Sequence, residues 1–166
     1  MQNIRKQLTL FIHQPNGVIE KIRREFNPVQ YHLIAAHVTL CREDEIEPMA
    51  ATIKRLKTIS LPKPLQLQFT TAKRFANGKG VFIPTVGHNH QFVALRKEVL
   101  GQSELIKEQI PHITLMHPGN ATCTDQLFEQ IKTYQLPTQL SFKTISLIEQ
   151  QNGGKWKIVE EFTFCK

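Results

Sequence analysis

The sequence predicts an α+β fold. Two pseudo-symmetric lobes are expected, each an antiparallel sheet with helices on its outer side, around a central cleft. The first observation behind this is a repeat. HVTL at residues 37–40 returns as HITL at residues 112–115, 112 − 37 = 75 residues later in a chain of 166. The second is the order of hydrophobic periods: strand, helix, strand, helix, strand in each half, with one strand added at the end. The third is that LFIHQ (10–14) lines up with VFIPT (81–85) ahead of the two motifs. We read one bilobal domain, 1–166, whose duplicated halves are approximately 1–75 and 76–166.

Each element has its own reason. KQLTLFIHQ (6–14) alternates as a strand, and Pro15-Asn16-Gly17 breaks it. Residues 18–27 carry Val18, Ile22 and Phe26 at helical spacing. AHVTLCRE (36–43) is a short strand. Residues 47–59 form a helix with Pro48 near its first turn and Met49, Ile53, Leu56 and Ile59 on one face. Residues 65–75 alternate as a strand, Leu65, Leu67 and Phe69 against Gln66, Gln68 and Thr70. Asn77-Gly78 then signals a hairpin into a strand over 80–86. Residues 88–101 form a helix that stops at Gly101, with Phe92, Leu95 and Val99 as its stripe. HITLMH (112–117) is a strand ended by Pro118-Gly119. Residues 124–135 form a helix that Thr124 can cap. Residues 140–150 and 156–164 close the chain as strands around the turn QNGGK.

The composition narrows the function classes. No apolar run approaches the ~20 residues of a membrane span. The first residues alternate as a strand and lack the pattern of a signal peptide. Three cysteines, Cys41, Cys123 and Cys165, are widely spaced without a CxxC, so a reducing cytoplasm is expected. The formal net charge is +7 and the pI about 9.5. Such a surface suits a polyanion such as RNA or a nucleotide.

The repeated motif carries chemistry. Alternate side chains of a strand share a face. His37 and Thr39 therefore point one way and Val38 and Leu40 the other; His112 and Thr114 oppose Ile113 and Leu115 in the same manner. The aliphatic pairs anchor the strands. Two lobes related by a pseudo-twofold then bring two imidazoles and two hydroxyls around one small volume. A phosphodiester needs such a set: one imidazole takes a proton from the nucleophile, the other gives one to the leaving group. Imidazoles serve both roles near neutral pH. Threonine hydroxyls donate to the non-bridging oxygens, where charge collects. Activity is expected to be bell-shaped in pH, with both limbs within a unit or two of about 6.5.

Random placement predicts roughly 0.06 His-x-Thr-Leu stretches in a chain of this composition. Two are present, each in the middle of a half. A pair of HxT strands at the centres of duplicated halves resembles the two-histidine (2H) phosphoesterase superfamily. The branch it is most similar to is that of the 2′-5′ RNA ligase-like, or RNA 2′,3′-cyclic phosphodiesterase, proteins. The resemblance implies a bilobal α+β fold with both motifs in a central cleft. A monomer without a cofactor is expected. It implies metal-independent opening of 2′,3′-cyclic phosphates on RNA ends or nucleotides to 2′-phosphates, and in some members reversible 2′-5′ RNA ligation. The catalytic roles fall on His37, Thr39, His112 and Thr114.

Other residues are weaker candidates. Lys73, Arg74 and Lys79 surround the central hairpin with Phe75, and could present cations to phosphates and a ring to a base. Phe11 and Phe82, read as matching places in the halves, fit either core packing or a base pocket. Arg42 and Lys155 follow behind them. His117 is out of phase with the motif and is expected at the cleft rim or turned away. His88 and His90 are read as a helix N-terminal turn rather than metal ligands. The alternatives to an enzyme of this type are a non-catalytic RNA- or nucleotide-binding module and a metal-dependent hydrolase.

Overall fold

The computed structural model describes residues 1–14 and 17–166. Pro15 and Asn16 of the expected turn lie outside the described residues. The chain runs β1 (Ile4–Phe11), α1 (Val18–Phe26), α2 (Pro28–Leu33), β2 (His37–Cys41), α3 (Met49–Leu56), β3 (Leu65–Gln68) and β4 (Lys73–Arg74). It continues β5 (Val81–Pro84), α4 (His90–Leu100), β6 (His112–Met116), α5 (Asp125–Lys132), β7 (Gln139–Phe142), β8 (Thr144–Gln151) and β9 (Lys157–Thr163).

The α+β fold is built on antiparallel pairing. A seven-stranded sheet has the order β4-β5-β6-β2-β1-β8-β9, and β3 and β7 form a two-stranded ribbon. The two HxT strands, β2 and β6, lie side by side at its centre. Each flank has the same plan. β1 and β5 border the motif strands, and β8 adds to β1 as β4 adds to β5. The ribbon joins the halves of the sequence, β3 from one and β7 from the other. The helices cross as well: α1 packs against β6 and α4 against β2.

Two expected strands each prove to be two. Residues 65–75 split because the backbone changes partner. Phe69 donates its amide to Thr138 O on the ribbon side, and Thr70 donates to Pro84 O beside the large sheet. The 140–150 run splits at Lys143, between ribbon and sheet. Period-2 alternation runs through both splits, so the pattern holds no sign of the change of sheet. The six-residue α2 is the other departure. It starts at Pro28, whose preset φ suits a first helical position. The segment is too short for a periodic stripe to show.

The local signals act as expected elsewhere. Gly78 takes φ 71° in the β4–β5 hairpin, and Gly101 takes φ 64° as the C-cap of α4. Thr124 Oγ1 accepts from Leu127 N at 3.2 Å. Val38, Leu40, Ile113 and Leu115 sink into one core with Leu8, Leu10, Val81 and Ile83. Burial on that scale, about 1.5–3 kcal/mol per large aliphatic side chain, fixes which face of each motif strand looks outward.

Candidate active site

The two half-sites are set by register. On one flank Phe11 opposes His37, Leu10 opposes Val38 and Thr9 opposes Thr39. On the other, Pro84 opposes His112, Ile83 opposes Ile113 and Phe82 opposes Thr114. Register shifts fall at matching places, between Leu8 and Thr9 and between Val81 and Phe82. Thr9 therefore matches Phe82 (82 − 9 = 73), and Phe11 matches Pro84. This corrects the sequence alignment, which equated Phe11 with Phe82. The slip is two residues, so the side chains stay on the expected face.

β2 and β6 pair through Val38 and Ile113. Continued one residue each way, this antiparallel register sets His37 by Thr114 and Thr39 by His112 (37 + 114 = 39 + 112 = 151). Each imidazole thus has the other motif's threonine as neighbour.

Both imidazoles are held in the same way. The ring Nδ1 of His37 lies 2.8 Å from Ala35 O, and that of His112 3.0 Å from Ile110 O. A carbonyl only accepts, so each Nδ1 carries the hydrogen and donates it. Nε2 is left as the free nitrogen of each ring. Two buried arginines occupy matching places, 96 − 23 = 73 residues apart, and bond the segments that lead into the motif strands. Arg23 of α1 donates to Ile34 O at 2.7 Å, and Arg96 of α4 donates to Lys107 O at 3.1 Å. Arg23 is paired with Glu20, which also accepts from Ala36 N at 3.0 Å. Arg96 is paired with Glu45 at 2.6 Å. It also donates to Gln109 Oε1 at 3.2 Å, and Gln109 Nε2 donates to Thr39 O at 2.7 Å.

A cavity of about 330 Å³ opens over the motifs and is walled by His37, Thr39, His112 and Thr114 together. Its two ends differ. Beside His112 lie Phe82, ring centre 5.6 Å away, and Phe75, 6.0 Å away. On the β1–β2–β8 flank the wall is Gln7, Arg5, Arg42, Gln150 and Trp156. The Arg5 guanidinium sits 5.5 Å from the centre of the Trp156 ring and bonds Gln150 Oε1 at 3.4 Å.

Burial in this cleft pushes the His37 pKa down from 6.5 to about 4. The Ala35 hydrogen bond opposes that shift, and the charges of Arg23, His112 and His117 add to it. His37 is therefore the neutral partner near pH 7. The acid-side expectation of a limb within a unit or two of 6.5 moves accordingly. His117 stands at the rim, where its Nδ1 accepts from Gly119 N at 2.9 Å. Burial, and then Arg5, lower its pKa also.

The hairpin candidates go elsewhere. Lys73 and Lys79 lie outside the cavity wall. Arg74 is committed to Asp125 at 2.5 Å, to Gly78 O at 3.2 Å and to Cys123 O. Phe75, between them, is the hairpin residue that reaches the cavity. Phe11 and Phe82 stand edge-on to His37 and His112 and are not part of the cavity wall. His88 and His90 flank Asn89, the N-cap of α4, at the start of that helix. Arg42 lines the cavity; Lys155 does not.

Sequence reasoning missed Gln7, Arg23, Arg5, Gln109 and Trp156. Part of their signal was present. Arg5, Gln7, Thr9 and Phe11 share one strand face by period 2; the 73-residue spacing of Arg23 and Arg96 matches the register offset of β1 and β5 rather than the 75 residues between the motifs.

Known proteins share this fold. Among solved structures, apo LigT of E. coli is similar over 100% of both chains, with TM-score 0.62 and 14% identity. A phosphoesterase structure matches over 98% of each chain with TM-score 0.62 and 14% identity. A protein of Thermus thermophilus matches over 96% of this chain and 97% of its own, with TM-score 0.56 and 18% identity. The E. coli protein has also been solved with ATP and with 3′-AMP. No curated protein matches by sequence. No helix among the described residues is long and apolar enough to cross a membrane. The model of the 2′-5′ RNA ligase superfamily matches residues 12–154, which include both HxT strands and most of the cleft wall but not Arg5, Gln7 or Trp156, and the chain belongs to that superfamily.

Proposed function

We propose that the chain is a metal-independent cyclic phosphodiesterase that opens 2′,3′-cyclic phosphates of RNA ends or nucleotides, as one bilobal unit. The observation that carries this reading is the twin arrangement of His37 and His112, each with Nδ1–H on a carbonyl and Nε2 free. Neutral His37 takes a proton from water as the water oxygen bonds to phosphorus. The P–O3′ bond breaks on the opposite side. His112, in its protonated form, gives its Nε2 proton to O3′, and a 2′-phosphate results. Thr39 and Thr114 donate to the non-bridging oxygens as charge builds there. Two imidazoles complete the proton transfers, so the scheme requires no metal.

The same protonation state accepts a 5′-hydroxyl in place of water, which gives a 2′-5′ linkage. The Trp156–Arg5 platform in the cavity wall favours this second use, because it offers a seat for a second nucleoside. A stacked base and a cation beside a phosphate are the usual grip on single-stranded nucleic acid. The basic surface and a cytoplasmic setting accord with RNA ends as partners.

Incubation with 2′,3′-cyclic AMP, with and without a chelator, tests the reading. Formation of 2′-AMP at equal rates supports it. Binding without turnover favours a nucleotide-binding module. Loss of activity with chelator favours a metal-dependent hydrolase.

A further inference from the structure

Gln7 of β1 has no counterpart in the other half-site. Its Nε2 donates to Thr9 Oγ1 at 2.8 Å and to Thr39 Oγ1 at 3.0 Å. An amide nitrogen has two hydrogens, so both are committed. A hydroxyl has a single hydrogen. Thr39 Oγ1 accepts from Gln7, so its own hydrogen is directed to another acceptor, and the cavity lies on that side.

The matching position in the second half is Gly80 (7 + 73 = 80), by the register that pairs Thr9 with Phe82. No larger residue fits there. A Cβ would come within 2.6 Å of Met116 O and 2.7 Å of Phe75 Cδ2. The Phe75 ring takes the space that Gln7 fills opposite. Thr114 thus has an aromatic neighbour where Thr39 has an amide.

We propose that Gln7 is a positioning residue that holds Thr39 as a directed donor to one non-bridging phosphate oxygen. The two threonines of the repeat are then chemically unequal. The inference rests on the phosphodiesterase reading and names the residue that sets which phosphate oxygen is held.

The Rp and Sp diastereomers of a nucleoside 2′,3′-cyclic phosphorothioate test it, since each puts a poorly accepting sulfur in place of one non-bridging oxygen. The wild-type chain should turn over one diastereomer at least about tenfold more slowly, less than the ~10²–10³ of a deleted donor because sulfur still accepts weakly. Gln7→Met keeps the length of the side chain and removes the donor. It should lower kcat and shrink the diastereomer ratio, as Thr39→Val should. The double variant should be no worse than Thr39→Val alone. Gln7→Glu has the same shape but only accepts. It should lose more kcat than Gln7→Met, because it draws the Thr39 hydrogen onto itself; a merely structural glutamine would rank the two the other way. An unchanged diastereomer ratio in Gln7→Met, or losses that multiply with Thr39→Val, overturns the proposal. Absence of turnover on the oxygen parent would instead overturn the phosphodiesterase reading beneath it.

Discussion

Val38 on β2 and Ile113 on β6 are register partners, and both side chains are fully buried. This one pair sits on the pseudo-twofold and joins the flanks of the large sheet. The four motif residues that face the cleft are each one residue away from it: His37 and Thr39 on one strand, His112 and Thr114 on the other. Because the partners are buried, the motif residues flanking them must face out together. The repeat of a short stretch is thus a repeat of one side-chain parity, used twice about one axis.

The histidines should be indispensable as a pair. His37→Ala and His112→Ala are each expected to lower kcat on 2′,3′-cyclic AMP by about 10²–10⁴, the usual worth of a positioned acid or base. The double variant should lose far less than the product of the two. Steady-state kinetics on folded variants decides this, and near-wild-type turnover in either single variant contradicts it.

The threonines should differ from one another. Thr39→Val and Thr114→Val keep the β-branched shape, so both should fold. Each should lose up to about 10²–10³ in kcat. Only the Thr39 variant should be insensitive to a second change at Gln7. Unfolding of either variant, seen by circular dichroism, would mark a structural role instead.

His37 ties stability to pH. Its folded pKa, about 4, lies below the unfolded value near 6.5. Between those values the unfolded chain holds more protons than the folded one, so falling pH favours unfolding. This contribution is complete above about 6.5 and is lost as pH drops toward 4. Denaturant melts of the wild type and of His37→Asn across that window should differ in slope, the variant being flatter. NMR titration should place the His37 ring well below 6.5.

The buried arginines should matter for folding. Arg96 and Glu45 are 1% and 9% exposed in their side chains. Arg96→Met leaves a carboxylate without its partner and should cost about 3–5 kcal/mol. Adding Glu45→Leu should recover part of that loss. A single variant as stable as the wild type in urea would show that the pair contributes nothing.

Trp156 should decide how a bound cyclic phosphate is shared between water and a nucleoside 5′-hydroxyl. With adenosine in excess, Trp156→Ala should lower the ratio of 2′-5′-linked product to 2′-AMP by about tenfold, within the range of one lost base stack. Trp156→Phe should restore most of it. An unchanged ratio removes the platform from the account.

Much of this site was legible in the chain. Parity alone fixed which way His37, Thr39, His112 and Thr114 face, and hydrophobic periods fixed nearly every element around them. What stayed hidden depends on contacts distant in sequence. Arg74 lay in a basic hairpin, and only the fold brings Asp125 and Cys123 to it. Trp156 follows a glycine turn, and the placing of β8 beside β1 is what carries it to the cleft. The inequality of the half-sites was also hidden, since Gln7 and Gly80 become equivalent only once the bulged register of β1 and β5 is known.

The pH dependence of kcat/KM for 2′,3′-cyclic AMP, taken in the presence of a chelator, tests the central claim most directly. One imidazole must be neutral and the other protonated in the same molecule, so the profile should be a bell. Its acid limb should lie near 4, where His37 takes up its proton in the free enzyme. Its basic limb should mark loss of the proton carried by the acid. In His37→Ala the acid limb should disappear along with most of the activity. A profile that rises to a plateau at high pH without chelator, and vanishes when chelator is added, would mean that a metal-bound hydroxide does the work. That result would contradict the account even with both histidines essential.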